Sequence, residues 1–121
     1  VSFGNEFQIC KRTILKNSYE KDIDLIDLRS TKPLDIETIK ESVKKTKKLL
    51  VVEGDWESYG VASEIISRIS EDSKIVLKEK PVRLCYPDSH TPASSFLEKF
   101  FYIDEKKILK FLKKMILKNG N

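Results

Sequence analysis

The sequence predicts an α/β protein built on a parallel, doubly wound sheet, and three observations carry that reading. Residues 23–60 read as a strand, a helix, a second strand and the start of another helix. Within them, Leu49-Leu50-Val51-Val52 is a continuous apolar run, the mark of a strand covered on both faces. Between the strands, apolar residues recur with helical spacing. Two strands joined by a helical crossover form a βαβ unit, which is nearly always right-handed with its strands parallel.

Taken from the start, Val1-Ser2-Phe3-Gly4 reads as the last part of a strand ending on a glycine turn. A strand placed there leads us to expect a chain cut from a longer one. Asn5 is expected to cap the first helix, with Phe7, Cys10 and Ile14 as its apolar stripe and Ile9 and Leu15 widening it. Asn17 and Ser18 end that helix. Residues 24–28 give the second strand, and Pro33 breaks the pattern by fixing φ and removing an amide donor.

Asp35 stands where a helix N-cap is wanted, Leu34 and Ile39 have the spacing of a hydrophobic staple, and Ile36, Ile39 and Val43 form a stripe. Beyond the third strand, residues 53–60 read as a polar and aromatic loop at a strand's carboxyl end, the side where ligands and partners dock in open α/β sheets. The next helix carries Val61, Ala62, Ile65, Ile66 and Ile69 on one side. Residues 73–80 fit either more helix or a short strand, and Pro81 stops both. A fourth strand follows at 82–85, then a loop pinned by Pro87 and Pro92, with Ser94 or Ser95 capping a short turn. The last helix, about 104–117, has Ile108, Leu112 and Met115 on its core stripe. Val51, Val52, Ile26 and Ile39 are expected to be buried.

A chain of 121 residues makes one domain with a real core. Its formal charge is +4, from 23 Lys and Arg against 19 Asp and Glu. The excess is local, with Lys106, Lys107, Lys110, Lys113, Lys114 and Lys118 crowding the last helix. No aromatic or glycine motif for base stacking accompanies them, so they read as a solvated face and not as a nucleic-acid site. Nor is there an apolar run of the ~20 residues that a membrane span needs. Cys10 and Cys85 lack metal spacing and read as free thiols in a reducing compartment, which points to the cytoplasm.

The sequence offers little catalytic chemistry. No Gly-x-Gly-x-x-Gly or P-loop lysine pattern follows any strand. His90 is the one histidine, and no ligand set for a metal accompanies it. Asp88, His90 and a nearby serine share one short loop, whereas a triad needs groups converging from separate elements. Asp88 and the prolines are therefore read as shaping the loop, and Asp24, Asp27 and Arg29 as strand-end ion pairing. No catalytic, cofactor-binding or metal residue is assigned. Instead, the aromatics outside the helical stripes mark an interface: Trp56, Tyr59, His90, Phe100, Phe101 and Tyr102, with Gly60 beside them. One of Phe100 and Phe101 is expected to cover the sheet.

Several stretches in order resemble a known family: Ile26-Asp27-Leu28-Arg29, Lys32-Pro33-Leu34-Asp35, residues 37–46, Leu50-Val51-Val52-Glu53, Gly60-Val61-Ala62-Ser63-Glu64-Ile65, Pro87-Asp88, Thr91-Pro92 and Leu97-Glu98. They resemble the C-terminal domain of transketolase-like enzymes. Within that superfamily, the best likeness is to the beta subunit of the decarboxylating component of 2-oxo acid dehydrogenase complexes. The resemblance implies a three-layer α/β/α domain on a mixed, mostly parallel sheet, spanning 1–121. It also implies that thiamine diphosphate and magnesium are held by other domains of a parent enzyme, and that this domain serves assembly. Its implied partners are the parent's other domains and subunits, a twofold mate and the acyltransferase core. A transketolase or deoxyxylulose phosphate synthase parent, or a free-standing binding module, stays open as an alternative.

Overall fold

The computed structural model describes residues 1–117. Lys118, the last lysine of the C-terminal cluster, lies outside the described residues. The elements are α1 (Gly4–Lys16), α2 (Ile36–Thr46), β1 (Leu50–Trp56), α3 (Val61–Glu71), β2 (Val82–Tyr86), α4 (Ser95–Phe101) and α5 (Glu105–Leu117). β1 and β2 pair in parallel, with Val51 opposite Arg83 and Val52 opposite Leu84, and an irregularity before the pair Trp56 and Tyr86.

Two more segments extend this sheet through single bridges. Ser2 pairs in parallel with both Asp27 and Val52. Its amide donates to Ile26 O, its carbonyl accepts from Leu28 N, and its hydroxyl donates to Val52 O. The spatial order is therefore 26–28, 1–3, β1, β2, the doubly wound arrangement the sequence predicts. The antiparallel bridge between Thr31 and Leu34 closes the turn at the cis Lys32–Pro33 peptide.

Alternation along β1 makes the layers. Val51 faces a core of Ile39 and Val43 from α2 with Ala62, Ile65 and Ile69 from α3. Val52 faces the other way, onto Cys10 and Ile14 from α1 with Ile108 and Leu112 from α5. Helices thus cover both faces of the sheet. Asp35 caps α2 as expected, its carboxylate accepting from Thr38 N. α3 buries Ala62, Ile65 and Ile69, and α5 buries Ile108, Leu112 and Met115.

Several expectations are corrected. β1 runs through Trp56, so the loop starts four residues later than position 53, because pairing with β2 outweighs the strand-averse Glu53 and Gly54. α1 begins at Gly4 with Phe3 in the cap position, so Asn5 lies inside the helix. The buried side of α1 is Glu6, Cys10, Thr13 and Ile14, while Leu15 faces solvent. Ile26 is only half-buried; Leu28 is the buried residue of that segment. Residues 73–80 form neither helix nor strand, although Ile75 and Leu77 pack on the core. Ser94 holds the cap position of α4, but its side chain makes no capping bond.

Candidate functional site

The carboxyl ends of the strands carry most of the polar and aromatic residues singled out from sequence. The order of the strands reverses direction between segment 1–3 and β1, which is where an open α/β sheet leaves a crevice. Here the crevice is filled from within. Glu6, in the first turn of α1, is buried and accepts a 2.9 Å hydrogen bond from the Tyr86 hydroxyl. Its carboxylate lies against Gly54, where an added Cβ would come within 2.4 Å of the Glu6 Cδ.

Glu53 plays the matching part on the other face. It is 2 % exposed, and its two oxygens accept from Val61 N and Ala62 N at 2.8 Å each. The carboxylate thereby satisfies orphan amides at the start of α3 and sits at the positive end of the helix dipole. Pleating explains the division: Glu53 points to the α2–α3 face with Val51, and Gly54 turns toward α1 with Val52. Both buried carboxylates are engaged in bonds that hold the fold.

Above them, two loops are tied together. The Ser58 amide and hydroxyl both donate to the Asp88 carboxylate. These bonds, the hydroxyl's first, hold the Asp88 carboxyl below its usual value. Arg83 reaches Glu57 O and also pairs with the Glu57 carboxylate at 3.4 Å. Asp88 is thus committed to shaping the loop. Asp27 pairs with Arg29 at 3.0 Å, and Asp24 with Lys45 at 2.9 Å, which is strand-end ion pairing as expected.

The interface candidates divide. Trp56, Tyr59 and His90 line one open hollow with Ser58, Asp88 and Ser89. Tyr59 is fully exposed and held at φ +61°, a left-handed conformation that a tyrosine adopts only at a cost. Gly60 stands behind it as the N-cap of α3, where an added Cβ would lie 2.6 Å from a Glu53 oxygen. Phe100 is 68 % exposed, whereas Phe101 is buried and stacks on Tyr86 with centroids 5.2 Å apart. Phe101 is therefore part of the core and not of an exposed interface, contrary to the expectation from sequence; one of the pair covers the sheet, as expected. Tyr102 is exposed on one side and meets Tyr86 edge-on at 5.4 Å.

Sequence reasoning missed Phe96, which is exposed and packs edge-on against Phe100 at 5.4 Å. The signal was present in Ser95-Phe96-Leu97-Glu98-Lys99-Phe100-Phe101, since a seven-residue helix cannot bury aromatics on opposite sides. The burial of Glu6 had no local signal, because its partner Tyr86 is 80 residues away.

Residues 1–108 match the model of the family described as transketolase, C-terminal domain. The chain belongs to that family. The pyruvate dehydrogenase E1 component subunit beta of Saccharomyces cerevisiae, a mitochondrial protein, is 34 % identical over 112 residues, covering 92 % of this chain and 31 % of the relative. The Bos taurus counterpart, also mitochondrial, is 38 % identical over 96 residues, covering 78 % and 27 %. The subunit from Acholeplasma laidlawii is 37 % identical over 93 residues, covering 77 % and 28 %. The chain therefore spans less than a third of these relatives' length. A solved structure described as a split gene transketolase, inactive beta4 tetramer, superposes with a TM-score of 0.76 at 18 % identity, over 96 % of this chain and 38 % of that one. That likeness shows the shared α/β fold.

The buried carboxylates at this site are committed to the fold and not to thiamine diphosphate or magnesium. Among the described residues no group of three or more His, Cys, Asp and Glu is placed to hold a metal ion. The two buried carboxylates at the strand ends are already occupied by Tyr86 and by the amides of α3.

Proposed function

We propose that the chain is the C-terminal domain of the beta subunit of a thiamine diphosphate-dependent 2-oxo acid dehydrogenase, and that it works by assembly. The cofactor and its magnesium belong to other domains of the parent in this reading. Identities of 34 % and 38 % to pyruvate dehydrogenase beta subunits favour that parent over a transketolase. The observation that carries the assembly role is Tyr59: its whole ring stands in solvent on a backbone position that disfavours it. Strain kept at an exposed aromatic points to a use outside the domain's own stability. Trp56, at 52 % exposure, extends the same surface. Its partners are the other subunits and the twofold mate, with the acyltransferase core as a further one. The free thiols of Cys10 and Cys85 support a reducing compartment such as the cytoplasm.

The test replaces Tyr59→Ala together with Phe100→Ala in the assembled parent enzyme and in this chain alone. Sedimentation should show weakened assembly, while the isolated domain melts at a nearly unchanged temperature. If the isolated domain unfolds and assembly merely follows that loss, the assembly reading fails. Calorimetric titration of the isolated chain with thiamine diphosphate and magnesium should give no saturable heat; micromolar binding would overturn the division of labour.

A further inference from the structure

The outer face of α5 carries charge that the rest of the domain does not neutralise. Lys106, Lys110, Lys113 and Lys114 are exposed and take part in none of the ion pairs among the described residues. Lys40, Lys45 and Lys48 meet Asp72, Asp24 and Glu79, and the lysines elsewhere that make no ion pair are scattered over several elements, whereas these four share one helix. The one acid within α5, Glu105, is taken by Arg12 and Lys16 from α1. Lys107 is turned inward to the carbonyls of Phe100 and Tyr102.

On a helix, positions 106, 110, 113 and 114 fall on one side, and like charges three and four apart repel. The helix dipole rewards Lys113 and Lys114 near the C-terminal end, but it disfavours Lys106 in the first turn and leaves Lys110 without benefit. Four unpaired cations in one stripe therefore weaken the helix that bears them. An anionic partner would relieve that repulsion.

We propose that this stripe docks an acidic segment of a protein partner, independently of the aromatic surface at the strand ends. The stripe lies along a helix and spans about 12 Å at the usual rise, which suits carboxylates spaced three or four residues apart. The chemistry favours a protein over the other polyanions. α5 contains no arginine for bidentate phosphate contacts, and none of its own exposed residues is an aromatic on which bases could stack. The apolar stripe of α5, Ile108, Leu112 and Met115, is buried in the domain core and is not free to enter a bilayer.

The experiment titrates this chain against a labelled acidic peptide of about 12 residues, with glutamates at helical spacing, and follows anisotropy at two salt concentrations. A single-stranded oligonucleotide of equal charge and phosphatidylserine vesicles run beside it. Saturable peptide binding is expected, falling with salt and about tenfold or more weaker in Lys110→Glu/Lys113→Glu. Lys74→Glu, an exposed change beyond α3, should leave it intact. Circular dichroism on each variant confirms that α5 remains folded. Absence of saturable binding, equal loss in Lys74→Glu, or tighter binding to the oligonucleotide or the vesicles would each overturn the proposal.

Discussion

A Cβ on Gly60 would sit 2.6 Å from the Glu53 Oε2 that caps α3. Gly60 has an ordinary negative φ of −74°, so the requirement for glycine comes from space alone. The buried carboxylate lies where a side chain would be, and Val61 N and Ala62 N hold it there. Gly60→Ala should therefore push Glu53 off its amides and destabilise the domain. Glu53→Ala should cost about 2 kcal/mol or more by orphaning buried donors, and Glu53→Gln, which keeps an acceptor, should cost less. Urea unfolding of the three variants checks the order; a neutral Glu53→Ala would mean that the cap contributes nothing.

Gly54 and Glu6 form a parallel case with a third participant. Gly54→Ala forces the Glu6 carboxylate to move and so breaks its bond from Tyr86. The losses from Gly54→Ala and Tyr86→Phe should then overlap, with a double mutant less damaged than their sum by about 0.5 kcal/mol or more. Strict additivity in a denaturant cycle would show that Glu6 accommodates the methyl without losing its partner.

Adjacent phenylalanines should behave oppositely. Phe101 is 6 % exposed and packed on Tyr86, so Phe101→Ala should cost about 3 kcal/mol. Phe100→Ala should stay within about 0.5 kcal/mol in the isolated chain. Similar losses from both would place Phe100 in the core and remove it from the interface.

Acid should release the tie between the two loops. The Asp88 carboxyl is held below its ordinary value by the Ser58 hydroxyl and amide. A depressed carboxyl binds fewer protons in the folded state than in the unfolded one. Its contribution is complete above the ordinary carboxyl value and disappears as pH falls through the depressed one, a window below about pH 4. Trp56, the single tryptophan, reports on the neighbouring loop. Its emission should change in that window, and Ser58→Ala should move the change to higher pH. An identical profile in the variant would show that the tie is not what titrates.

Cys85 should be a sluggish thiol. Burial, with Glu53 next in weight, pushes it up to about 11 from 9.0. At pH 8 that leaves roughly a hundredfold less thiolate than an unperturbed cysteine. Disulfide-exchange labelling of a Cys10→Ala variant should be slowed accordingly, and a rate equal to that of a free thiol would contradict the burial.

Features written in neighbouring residues are legible in the sequence itself. The Asp35 cap, the stripe of Ile39 and Val43, and the doubly covered Val51 and Val52 each depend on positions within a few residues. Features set by distant partners were not. Glu53 and Gly54 look like a loop until β2 is placed beside them, and Glu6 looks like a solvent-facing acid until Tyr86 arrives from the far end of the chain. Ile26 and Leu28 illustrate a subtler limit, since alternation names two sides of a strand but not which is better covered. For the candidate site, Trp56, Tyr59 and His90, which line one hollow, stand out in the sequence because aromatics and a lone histidine are conspicuous among polar residues. Phe101 was misassigned because only packing separates it from Phe100.

The bridge from Ser2 to both Asp27 and Val52 also sets an order of events. During synthesis, residues 1–3 leave the ribosome well before the segment containing Val52, yet they belong between two strands that do not exist at that moment. The Ser2 hydroxyl and its Val52 acceptor are 50 positions apart, and pairings that distant form slowly. Until they form, the middle of the nascent sheet is an unpaired strand with both edges open. Those edges are then accessible to other chains, so crowded expression should favour misassociation of this domain over its completion.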